Sequence, residues 1–157
     1  MVGHVRGPGP EGVIEFLDAF QAAERAGAEA VRRWIAACAD ARLRGGLRVI
    51  RARDARHAAL AEARLRALGG VPAARPSPEL AALCGVVADS GVSDESKLAL
   101  LVSLLPAAED DPLLAFVRDA GNGDAETRAL LGAIVDDERT SIRWLRRMRD
   151  AMEREGA

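Results

Sequence analysis

Four carboxylates and one histidine stand where this 157-residue chain would otherwise carry hydrocarbon. The apolar series Val13, Leu17, Phe20 continues at helical spacing to Glu24 and then to Gly27 and Val31. A second series, Leu43, Leu47, Ile50, reaches Asp54 and His57 before Ala61. A third, Leu131 and Ile134, is followed by Glu138 and Ser141 before Leu145, and a fourth, Leu98, Val102, Leu105, leads to Glu109. A charged side chain on a buried stripe costs several kcal/mol unless it is paired or ligated. Carboxylates and an imidazole in that position have two uses. They can share protons in a closed hydrogen-bonded network, or they can surround a cation.

The elements that must position these residues follow from periodicity. From Glu11 to about Asp40, Val13, Leu17, Phe20, Val31, Trp34 and Cys38 recur at steps of three and four, which predicts a long amphipathic helix. A short polar joint near Asp40 leads to a second helix through Leu43, Leu47, Ile50, Ala61 and Leu68, stopped by Gly69-Gly70. The next stretch, Val71 to Val92, contains Pro72, Pro76 and Pro78, and Ser77-Pro78-Glu79 opens a short helix within it, so it reads as a long crossover. A third long element is expected from about Ser93 to Ala120, with a kink or break at Pro106 and Pro112. Gly121-Asn122-Gly123 makes a turn, Asp124 caps, and Leu131, Ile134, Leu145, Met148 and Met152 carry the last helix to the C-terminus. The expected fold is all-α: a four-helix bundle made of two antiparallel hairpins joined by a long crossover, occupying residues 11–157 behind a disordered arm at 1–10.

Counting along antiparallel helices at about 1.5 Å per residue sets the depth of each polar group. Glu24 precedes Asp40 by 16 residues and Asp54 follows it by 14, so the two meet within about a turn. Glu109 precedes Asn122 by 13 residues and Glu138 follows it by 16, which repeats the arrangement. The second half also repeats the first in sequence. Ala22-Ala23-Glu24 matches Ala107-Ala108-Glu109, and at an offset of 84 Leu47, Ile50, Asp54 and His57 match Leu131, Ile134, Glu138 and Ser141.

On these residues the chain resembles the ferritin-like superfamily of di-iron and di-manganese carboxylate proteins, its rubrerythrin-like and small bacterial members in particular, over roughly Glu11 to Ala151. That family places one Glu on each of two helices and a Glu-x-x-His on each of the other two, around two metal ions. The resemblance implies Glu24 and Glu109 as lone carboxylates, Asp54-x-x-His57 as one chelating pair and Glu138-x-x-Ser141 as the other, with iron or manganese as the ion. It further implies one or two bound ions and reactivity toward oxygen or peroxide. Two departures matter. Asp54 is one methylene shorter than the expected Glu, and Ser141 stands in the place of the second His, leaving one metal position impaired and open to a substrate. A degenerate relative is the alternative, with the same five side chains as a polar core network in an interaction or small-ligand module.

Composition narrows the remaining classes. Hydrophobic residues are 49% of the chain but aromatics only 3%, with no Tyr, which favours helices and excludes tyrosyl-radical chemistry on this chain. Lys and Arg number 22 against 24 Asp and Glu, a net charge of −2, so nucleic acid is not an expected partner. Cys38 and Cys84 lack CxxC spacing and read as reduced, packed thiols. No secretion signal or membrane-length apolar run is visible, and the cytoplasm is the expected location. His4 has no partner at ligand spacing, Trp34 and Trp144 read as packing or dimer-contact residues, and a homodimer is expected.

Overall fold

The computed structural model describes residues 9–105, 111–119 and 124–156, and among these the protein is all-helical. Helix α1 spans Pro10–Ala37, with Pro10 in its first turn where the missing N–H costs nothing. Asp40 caps α2 (Ala41–Ala67) by accepting from the N–H groups of Arg42 and Leu43 at 2.8 and 2.9 Å. At the other end of α2, Gly69 takes φ +87°, Gly70 N–H reaches Leu65 O at 2.9 Å and Gly69 N–H reaches Arg66 O at 3.0 Å. This is the double-bonded glycine stop that the Gly69-Gly70 pair predicts. The crossover then lies along α1, where the Asp18 carboxylate accepts from Ala73 and Ala74 N–H, and Ser77 caps the short α3 (Pro78–Ala88).

The third long element is not continuous. Helix α4 (Asp94–Leu104), capped by Ser93, and helix α5 (Pro112–Asp119) are separate, and Pro112 sits at the start of the second piece, as its missing N–H and fixed φ require. Helix α6 runs over Ala125–Gly156, and Asp124 Oδ1 accepts from Glu126 N–H at its start. The predicted turn 121–123, residue Pro106, candidate residue Glu109 and most of the N-terminal arm, His4 included, lie outside the described residues.

Helix α2 is flanked by α1 and α6, and both run antiparallel to it. Along α1 the cross-contacts fall in reverse order, Ile14 beside Gly70, Arg25 to Glu62, Glu24 to His57 and Gly27 beside Asp54. Along α6 they run Arg42–Glu155, Gly46–Trp144, Arg53–Ser141, His57–Asp137 and Arg64–Thr127. Gly46 is required by space, because a Cβ there would lie inside the Trp144 indole. Helix α3 packs on α1, and α4 and α5 pack on α6. None of the described helices is long and apolar enough to cross a membrane.

The apolar core comes in two parts. One gathers Trp34, Leu43, Leu47, Ile50, Leu98, Leu145 and Met148. The other gathers Leu17, Ala61, Leu65, Leu113, Leu131 and Ile134. On α2 the break falls between Ile50 and Ala61, and on α6 between Ile134 and Leu145, so Asp54, His57, Glu138 and Ser141 form a layer between two hydrophobic blocks. Trp34 is fully buried within the chain, with its Nε1–H donated to Asp94 Oδ1 at 2.7 Å. Cys38 is buried, Cys84 is half-buried, and both thiols are free.

Candidate metal centre

The polar layer is built from three helices. Glu24 comes from α1, Asp54 and His57 from successive turns of α2, and Glu138 from α6. One ligand atom of each lies within 4.8 Å of the others. Asp54 and His57 meet there because residues three apart on a helix stand one above the other. The sequence places Glu24, Asp54, His57 and Glu138 at one level, and the structure brings these four together, while Glu109 is not among the described residues.

His57 organises the group. Its ring is 1% exposed, with Nδ1 3.2 Å from Glu24 Oε2 and 3.3 Å from Glu138 Oε1. Its Nε2 lies 3.1 Å from Asp137 Oδ2. Nδ1 carries at most one proton, which the shorter contact assigns to Glu24. Glu138 Oε1 is therefore left buried without a hydrogen bond. A buried carboxylate oxygen with free lone pairs costs free energy as it stands and suits a cation.

Proton affinities in the layer are displaced together. Burial, then the charges of Glu24 and Glu138, push Asp54 up to about 8. Burial also raises Glu24, while the hydrogen bond from His57 opposes it. For His57, burial works to lower the imidazole, but the contacts with Glu138, Glu24 and Asp137 outweigh it and hold it at about 10. At neutral pH without a cation, the layer balances its carboxylates with an imidazolium and a proton on Asp54.

Two members are missing from the sequence reading. Asp137 contacts His57 Nε2 at 3.1 Å, although its place beside Glu138 puts it off the inward stripe. Arg53 reaches from the shoulder of α2 to donate from Nη1 to Ser141 Oγ at 3.1 Å, with Nε 3.9 Å from Asp137 Oδ1. Ser141 is 5% exposed. The Arg53 guanidinium is seated on its hydroxyl, and both residues line a cavity with Gly46, Ile50, Thr140 and Trp144. A signal for both residues exists in the repeat, since Arg53 and Asp137 are themselves 84 positions apart. The residue just before Asp54 is thus the counterpart of the residue just before Glu138.

The donor set of three carboxylates and one imidazole fits a divalent first-row ion better than a soft, thiolate-preferring one. Asp137 supplies the outer partner that ligating histidines normally have, holding the proton on Nε2 and freeing Nδ1 to face the carboxylates. No protein-family model, curated protein or solved structure matches this chain.

Proposed function

We propose that this chain is a ferritin-like four-helix bundle, with α4 and α5 together in the place of its third helix, and that its polar layer binds iron or manganese. The supporting observation is the convergence of Glu24, Asp54, His57 and Glu138 within 4.8 Å, with Glu138 Oε1 buried, without a hydrogen bond and 3.3 Å from His57 Nδ1. In this reading Glu24, Asp54, Glu138 and His57 Nδ1 hold the ion, and Asp137 fixes the imidazole tautomer. When bound, such an ion supplies Lewis acidity and, for iron or manganese, electron exchange with oxygen or peroxide. Glu138 and Asp137 keep 26% and 35% of their side chains exposed, so the α6 side of the layer touches solvent.

A second reading rests on the same contacts. A protonated His57 facing Glu24, Glu138 and Asp137 is a self-sufficient ion network that needs no metal. The protein would then be an interaction or small-ligand module. Metal content separates the two. Protein purified without a metal-chelating column, reconstituted and desalted should retain iron or manganese near chain concentration, and His57→Ala should retain little. Wild-type metal of no more than a few per cent of chain concentration would remove the metal reading.

A further inference from the structure

The internal repeat places the two halves of the layer in register. On α2 the run is Arg53, Asp54, His57, and on α6 it is Asp137, Glu138, Ser141, each residue 84 positions from its counterpart. The cross-contacts obey the same two-fold relation. His57 touches Asp137 of the opposite helix through Nε2 at 3.1 Å, and Ser141 is touched by Arg53 of the opposite helix at 3.1 Å. The geometry is shared, but the chemistry is exchanged: imidazole with carboxylate in one half, hydroxyl with guanidinium in the other.

We infer that Arg53 is a built-in cation that occupies the second half of the layer, so that the site takes a single divalent ion instead of a pair. This rests on the metal reading above and sharpens it. A ligating histidine needs an acceptor on its outer nitrogen. His57 has one in Asp137, whereas any imidazole at position 141 would meet the Arg53 guanidinium, which offers only donors and a permanent positive charge. An arginine at position 53 and a ligating histidine at position 141 are therefore incompatible in this layer. Arg53 acts as a specificity-determining residue, because its charge repels an ion beside Ser141 and its Nη1 engages the only side-chain oxygen Ser141 has.

Equilibrium dialysis of the full chain against Mn(II), read as ions per chain at saturation, tests this with three proteins. Wild type should bind one ion, Ser141→His should still bind one, and Arg53→Asp/Ser141→His should bind two, with the melting temperature of each variant confirming that it folds. If the double variant unfolds, Arg53→Asn/Ser141→His removes the charge with a smaller perturbation and is expected to gain the second ion more weakly. Two ions on wild type, or on Ser141→His alone, would overturn the role of Arg53 while leaving the metal reading intact. A folded double variant holding only one ion would overturn it as well. No ion on any of the three would overturn the metal reading and this inference together.

Discussion

The His57–Asp137 and Arg53–Ser141 pairs each join α2 to α6 at equivalent sequence positions and carry different chemistry. On α2, Asp54 and His57 hold protons that an incoming cation would displace. On α6, the Ser141 hydroxyl does not titrate in this range, and its oxygen already accepts from the Arg53 guanidinium. The antiparallel packing of α2 and α6 fixes where side chains meet across the layer, and in the proposed reading the residue types at four positions decide whether a meeting point accepts a metal ion or excludes one. The pairs His57–Asp137 and Arg53–Ser141 lie at equivalent places and are linked by the Arg53–Asp137 ion pair at 3.9 Å, so the comparison rests on the Ser141 and His57 ends.

The largest expected effect is that of pH on the α2 side. Below about 8 an incoming ion must displace protons from both Asp54 and His57, and between about 8 and 10 from His57 alone. Mn(II) affinity should therefore rise by about a hundredfold per pH unit below that first value and about tenfold per unit above it. Stability of the metal-free protein should move the other way. The folded state keeps on Asp54 a proton that the unfolded chain gives up near 3.8, so that contribution fades as pH climbs from there to about 8. His57, raised from 6.5 to about 10, contributes stability that is complete below its unfolded value and lost as pH climbs through its folded one. Melting curves from pH 5 to 8, with and without Mn(II), should show the metal-free midpoint falling while the metal-induced increment grows. An increment independent of pH would mean that these two side chains are not ligands.

A smaller effect is expected from the partner of the imidazole. Asp137→Asn should weaken Mn(II) binding by about 10- to 100-fold, the usual cost of removing the group that orients a ligating histidine. The matching change in the other pair, Ser141→Ala, should leave the affinity of the first ion within about twofold and cost about 1 kcal/mol of stability through the lost Arg53 hydrogen bond. Competition titrations and denaturant melts measure both. Equal losses of affinity from the two substitutions would erase the distinction between the halves.

Much of this layout can be read from the residues in order. The 3.6-residue period placed Glu24, Asp54, His57 and Glu138 on inward stripes, and loop positions gave their depth, because long helices joined by short turns leave little freedom of register. Pro112 marks the start of α5 after the interruption that follows α4, and the Gly69-Gly70 stop and the Asp40 and Ser77 caps lie where local chemistry demands. Asp137 and Arg53 were less visible. Both sit on stripe shoulders, where a shift of one residue turns a side chain by about 100°, and a long arginine there defaults to solvent unless a partner is known. Lys97 shows the same limit: it is 1% exposed, with Nζ 5.6 Å from the centre of the Trp34 ring, although its charge marks it as a surface residue.

The most direct measurement is an anomalous difference map from crystals of the full chain soaked in Mn(II) near pH 8. A single peak bonded to His57 Nδ1 and to carboxylate oxygens of Glu24, Asp54 and Glu138, with Arg53 still on Ser141, is the expected result. A map in which manganese appears only on surface carboxylates, with the polar layer unchanged, would contradict it.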